Sequence, residues 1–155
     1  AHNFYARKMN ETGDFPNDFV DNGDGTLTDR MTGLMWGKDS SSKLYQYHWA
    51  EKYISELNDK EFGGYNDWRI PTLEELCSLL ERAKNQKGLH ISPLFDDTQS
   101  VHLNLDRPRG MHYMQSCGIF YAIDFKTGGI TEVATKNEAW CQMKKFYVKA
   151  VRTVK

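Results

Sequence analysis

Trp68-Arg69-Ile70-Pro71-Thr72-Leu73-Glu74-Glu75-Leu76 writes a strand end, a forced corner and a capped helix into nine residues. Pro71 fixes its own φ and pushes Ile70 into extended geometry. Thr72 is then placed to accept a hydrogen bond from the first free helix amides. Glu75, three residues on, can reach back to the Thr72 N–H, which completes a capping box. Leu73, Leu76, Cys77, Leu80 and Ala83 recur at helical spacing, so the reading is a helix from Thr72 to about Ala83 with one buried stripe. An element this well specified is scaffold, and it directs the search for function to the loops it holds.

Upstream, Phe15 to Val20 runs into Asp21-Asn22-Gly23-Asp24-Gly25 and then Thr26-Leu27-Thr28, a β-rich alternation on both sides of a dense turn signal. This predicts a hairpin. A second turn, Asp29 to Gly33, feeds the apolar run Leu34-Met35-Trp36, which predicts a buried strand. Gly37 to Lys43 is a polar loop. From about Gln46 to Asn58, Trp49, Tyr53, Ile54 and Leu57 share one helical face, which predicts a first helix broken by Phe62-Gly63-Gly64. Downstream, Lys84 to Gly110 has little apolar periodicity and reads as a long loop of functional character. Strands follow at Met111 to Cys117, Ile119 to Phe125, Ile130 to Val133 and Phe146 to Val151. Two helices among short antiparallel strands define an α+β domain over residues 15–155, preceded by a polar arm or edge strand at 1–14.

A chain of 155 residues buries about 68–70% of its unfolded surface and folds without staples. The formal net charge of −1 supplies no global field for nucleic acid, and no apolar run approaches the roughly 20 residues of a membrane span. Cys77 lies on the apolar stripe of the second helix and reads as a small buried hydrophobe. Cys117 and Cys141 either pair in an oxidising compartment or remain free thiols. No Cys/His cluster has the spacing of a metal site.

The blocks Phe19-Val20-Asp21-Asn22-Gly23-Asp24-Gly25-Thr26-Leu27-Thr28-Asp29, Thr32-Gly33-Leu34-Met35-Trp36, Asp67-Trp68-Arg69-Ile70-Pro71-Thr72 with Glu75-Leu76, and Tyr147-Val148-Lys149-Ala150-Val151-Arg152 occur in this order. Together they resemble the Lcl C-terminal domain family, named for the tip domain of a bacterial collagen-like adhesin. The resemblance implies a C-type-lectin-like fold, with two helices flanking a small twisted sheet and the chain ends close together. It implies an extracellular or cell-surface location on a bacterium, a glycosaminoglycan-like or other surface polysaccharide ligand, and a homo-trimer as the candidate assembly. Two positions depart from the family: Tyr113-Met114-Gln115-Ser116 stands where a Tyr-Trp-Ser block is expected, and Lys149 stands where arginine is usual. A more distant likeness runs to the formylglycine-generating enzymes through Arg69-Ile70-Pro71-Thr72. Their close-set late cysteines are not matched by Cys117 and Cys141, so their activity is not carried over.

The expected function is therefore a non-catalytic binding or adhesion module. Basic residues gather late in the chain, and the recognition face is expected at Arg107, Arg109, Lys136, Lys144 and Lys145, with His112, Tyr113, Gln115, Trp140 and Gln142 adding stacking and hydrogen bonds. A solvated rim of lysines is the bland alternative. Asp21, Asp24 and Asp29, with Asn22, form an oxygen-rich turn that could hold calcium, but the spacing is not that of an EF-hand. The glycines are better explained by positive φ in a hairpin, so no cofactor is expected. Arg69 is expected in a structural ion pair, and Trp36, Trp49, Trp68 and Phe125 in the core. His90, His102 and His112 read as solvated loop histidines. The rival functions are a protein-binding module of a larger surface assembly and a thiol-dependent enzyme using Cys117 or Cys141.

Overall fold

The structure, a computed structural model, describes residues 16–46, 49–97, 101–102, 119–134 and 145–154. The hairpin read from the Asp/Gly turn is present. Strands β1 (Phe19–Asp21) and β2 (Thr26–Asp29) pair antiparallel with Phe19 opposite Asp29. Gly23 and Gly25 have φ of 78° and 89°, a conformation that L side chains resist, so this turn depends on glycine. β3 (Leu34–Gly37) continues the meander, and β9 (Val151–Thr153) returns from the far end of the chain to pair with β3, giving the order β1-β2-β3-β9. A two-stranded piece joins β4 (Tyr45–Gln46) to β8 (Lys145–Phe146). A three-stranded sheet orders β5 (Val101–His102), β6 (Ile119–Asp124) and β7 (Gly129–Ala134). With two α-helices among the described residues, α1 (Ala50–Asp59) and α2 (Leu73–Cys77), the domain is α+β.

β3 is buried along its whole length because both of its faces are covered. Side chains alternate across a strand, and they sort accordingly. Met35 joins Ala50, Ile54 and Leu57 of α1, with Trp68, Ile70, Phe146 and Val148, in one core. Leu34 and Trp36 join Leu27, Leu76, Leu79, Leu89, Ile91, Phe95, Phe125 and Val151 in the other. β6 divides the same way, Ala122 to the first core and Ile123 to the second. The sheet region is thus a shared wall between two hydrophobic clusters.

Three expectations need correction. The first helix begins at Ala50 rather than near Gln46, because Tyr45 and Gln46 are drawn into a ladder with Phe146 and Lys145. Trp49, placed in the core by its spacing, sits at the helix N-cap and is 57% exposed. The second helix ends at Cys77 instead of Ala83. After Glu75 the backbone tightens into i→i+3 bonds, Leu79 N–H to Leu76 O and Leu80 N–H to Cys77 O, while the Ser78 hydroxyl takes the Glu75 carbonyl at 2.6 Å. Glu81 then pairs with His90. This tightening leaves Leu76 and Leu79 fully buried, and Cys77 only half-buried beside the second core.

The long loop is a fourth correction. Residues 84–97 form no regular element, yet Leu89, Ile91 and Phe95 are core residues. Backbone bonds from Asn85 N–H to Leu89 O, His90 N–H to Phe125 O and Asp96 N–H to Lys38 O fasten the segment to its neighbours. Val101–His102 adds a strand that the missing periodicity hid. The late strand expected from Phe146 to Val151 is split between two sheets. Between the halves, Ser41 N–H donates to Val148 O at 2.8 Å and Val148 N–H donates to Ser41 Oγ at 2.9 Å. The arm at 1–14, the strand expected at Met111–Cys117, Cys117 and Cys141 lie outside the described residues.

Candidate functional site

The Pro71 corner delivers what its residues promise. Thr72 Oγ1 accepts from Glu75 N–H at 3.2 Å, and Glu75 Oε1 accepts from Thr72 N–H at 2.8 Å. The same carboxylate receives both Arg69 terminal nitrogens, each at 2.6 Å, so one buried glutamate caps α2 and clamps the preceding strand. Burial pushes the Glu75 carboxyl up, but the bonds from Arg69 and Thr72 outweigh it and hold the group below the ordinary glutamate range. Hydrogen bonding to Glu75 raises Arg69 in turn. Arg69 also reaches Thr153 at 3.2 Å, and its backbone bridges Val151. Its expected structural role is therefore confirmed.

Arg152, opposite Met35 in the β3–β9 ladder, is the second clamp. Its Nε meets Asp67 Oδ1 at 2.6 Å, its Nη2 meets Asp67 Oδ2 at 3.2 Å, and its guanidinium stacks 3.7 Å from the Tyr65 ring centroid. A third pair is wholly interior. Lys149 Nζ lies 2.5 Å from Asp97 Oδ2, and both side chains have 0% exposure. Nζ also donates to Gly37 O at 3.2 Å and stands 4.5 Å from the Phe95 ring centroid, while the Ser40 hydroxyl donates to Asp97 Oδ1. Sequence reading took Lys149 as one of the late basic residues and as a departure from arginine, and did not single out Asp97. The signal lay in an apolar frame around each, Val148 and Ala150 on one side and Phe95 on the other, which buries whatever stands between.

The oxygen-rich turn is engaged with protein donors. Asp21 accepts from Gly23 N–H at 2.9 Å and Lys38 Nζ at 3.0 Å, and these bonds hold its carboxyl below the usual range. Asp24 accepts from the Thr26 amide and hydroxyl. Asp29 is fully buried and accepts from the amides of Asp18 and Met31 and from the Thr32 hydroxyl. Among the described residues, no group of three His, Cys, Asp or Glu side chains could hold a metal ion. His90 is no solvated histidine. Its Nδ1 faces the carbonyls of Glu81 at 2.9 Å and Arg82 at 3.1 Å, so that nitrogen carries the hydrogen and donates. Trp36, Trp68 and Phe125 are buried as expected.

Of the residues expected to bind ligand, Arg107, Arg109, His112, Tyr113, Gln115, Lys136, Trp140, Gln142 and Lys144 lie outside the described residues. Lys145 is placed through its backbone, opposite Gln46 in the β4–β8 pair. The described strands nonetheless fix where the segments bearing these residues are rooted. Ile119, the first residue of β6, is the register partner of Ala134, the last of β7, and β5 runs toward that same end with His102 opposite Ile123. Gly118 thus leads into, and Thr135 leaves from, the same end of this sheet, whereas residue 103 follows His102, paired nearer the other end of β6, and residue 144 precedes Lys145 of the separate β4–β8 pair.

No curated protein matches the chain. The model of the Lcl C-terminal domain matches residues 25–152, a span holding β2, β3, the Pro71 corner and both arginine clamps. By that match the chain belongs to the Lcl C-terminal domain family.

Proposed function

We propose that this domain is a non-catalytic adhesion module with a C-type-lectin-like fold, displayed at a bacterial surface, which recognises anionic surface polysaccharide of the glycosaminoglycan type. The observation that carries this reading is the register pairing of Ile119 with Ala134, which sets the end of segment 103–118 beside the start of segment 135–144. Their charged residues are Arg107, Arg109, Lys136 and Lys144, with Lys145 next in sequence, against Asp106 and Glu138. A basic excess in these two segments favours sulfate and carboxylate groups through charge-assisted hydrogen bonds, and Tyr113 and Trp140 supply the apolar faces on which sugar rings stack. The frame beneath spends its own arginines on internal carboxylates, Arg69 on Glu75 and Arg152 on Asp67, so it supports a face of this kind without competing for the ligand.

A trimer is the proposed assembly, since several weak polysaccharide contacts gain avidity when linked. Neither a bound cofactor nor turnover is part of the proposal. Two measurements test it. Retention on immobilised heparin should fall steeply as salt rises, because exposed charge contacts are screened over about 10 Å at 0.1 M salt. Lys144→Gln with Lys145→Gln should weaken retention by about tenfold, the loss expected when two phosphate- or sulfate-type contacts of roughly 0.7 kcal/mol each are removed. Retention that ignores both salt and these lysines would refute the polysaccharide reading. Rapid labelling of native Cys117 or Cys141 by a thiol reagent would favour the rival thiol enzyme instead.

A further inference from the structure

We propose that Lys149 and Asp97 become joined by an intramolecular amide bond in the mature protein. The two groups touch at 2.5 Å with no solvent exposure on either side chain. A buried ion pair of this kind carries a heavy desolvation cost. A neutral amide in the same place carries far less, provided its donor and acceptor are both met. The site already meets them. Gly37 O accepts from Lys149 Nζ at 3.2 Å, and the Ser40 hydroxyl donates to Asp97 Oδ1. After condensation the amide N–H keeps Gly37 O, and the amide carbonyl, the former Oδ1, keeps Ser40.

The step balances without an oxidant, a reductant or a co-reactant. A proton passes from the Lys149 ammonium to Oδ2 of Asp97 across their contact, leaving an amine and a carboxylic acid. The amine lone pair attacks Cγ, and the charge that develops on Oδ1 meets the Ser40 hydroxyl already bonded there. Collapse breaks the Cγ–Oδ2 bond, and Oδ2 leaves with two protons as water. The ammonium and carboxylate together thus become one amide and one water molecule. Holding amine and carboxyl in contact makes the step intramolecular, and well-aligned intramolecular pairs reach effective concentrations of about 10⁵–10⁸ M. The face of Phe95, 4.5 Å from Nζ, helps exclude the water that would reverse the reaction.

The test is the intact mass of the purified wild-type chain under denaturing conditions, followed by peptide mapping. The expected mass is lower than that of the sequence by one water, with a branched peptide joining the stretches around Asp97 and Lys149. Lys149→Arg keeps a cation but lacks the amine, so that chain should have its full sequence mass. Ser40→Ala should lower the cross-linked fraction in protein of equal age. A wild-type chain in which Asp97 and Lys149 are recovered in separate linear peptides overturns the proposal, and so does a water loss that maps elsewhere. Because the decisive reading is made on the wild-type chain, a variant that fails to fold does not blunt the test.

Discussion

At the residue scale, Glu75 does the work of three groups: helix cap, strand clamp and counter-ion to Arg69. Glu75→Gln keeps one acceptor and loses the charge, and should cost about 1–3 kcal/mol in urea unfolding. Since the folded carboxyl titrates below its ordinary value of 4.5, its stabilisation is present above that pH and is lost as pH falls through the lower folded value. Thermal melting followed from pH 6 to pH 3 should therefore slope less in Glu75→Gln than in wild type. Glu81 has the opposite sign. Burial raises its carboxyl, so ionisation at neutral pH works against the fold, and Glu81→Gln should raise the melting temperature at pH 7 but not at pH 4. The two core tryptophans separate in the same manner. Trp68 Nε1 donates to Phe62 O at 2.8 Å, whereas Trp36 Nε1 is buried with no acceptor among the described residues. Trp68→Phe should cost more than Trp36→Phe by about 0.5–1.5 kcal/mol, since only the first removes a formed hydrogen bond, the Phe62 carbonyl keeping the Tyr65 N–H.

At the element scale, the join between α1 and the Trp68 strand is a chain of backbone devices. Glu61 takes a left-handed φ of 49°, Gly63 follows at 64°, and the Asn58 side chain grips Trp68 by both N–H and C=O, imitating a strand partner. A Cβ on Gly63 would lie 2.9 Å from Thr26 Cγ2, so Gly63→Ala combines strain with a clash and should cost about 1–3 kcal/mol by chemical denaturation. This scale also shows where sequence reading succeeds and where it stops. The Asp21–Gly25 turn, the strand Leu34–Trp36 and the Pro71–Glu75 corner were legible because each is dictated locally, by glycine φ, by a short apolar run and by proline with a capping box. The length of α2 was not legible, because Leu76 and Leu79 are pulled by distant neighbours that no local periodicity records. Leu89, Ile91 and Phe95 were hidden for the same reason: each is inserted singly from irregular backbone, so no period of 2 or 3.6 exists to find. The three clamps were half legible. Arg69 with Glu75 is encoded within one short stretch, while the Arg152–Asp67 and Lys149–Asp97 partnerships span 85 and 52 positions.

At the scale of the whole molecule, the two cores share β3 and β6 as a common wall, so neither can melt while the other keeps its packing. Unfolding followed by tryptophan fluorescence and by far-ultraviolet circular dichroism should give coincident transitions, and separated midpoints would show that the clusters are independent. Tyr53 offers a second global probe. Burial, with the charges of Asp39 and Asp97, pushes its phenol up to about 12. The stabilisation tied to that proton is whole below the ordinary tyrosine value of 10.0 and fades as pH rises toward the folded value, which an absorbance titration of phenolate would follow.

The strand order β1-β2-β3-β9 has a consequence for the timing of synthesis. Position 36 on β3 waits for position 151, so the ribosome must release the chain through Val151 before the central ladder can zip. Nascent intermediates stalled short of Val151 will expose the flank of Trp36 and should recruit holding chaperones until the closing strand emerges.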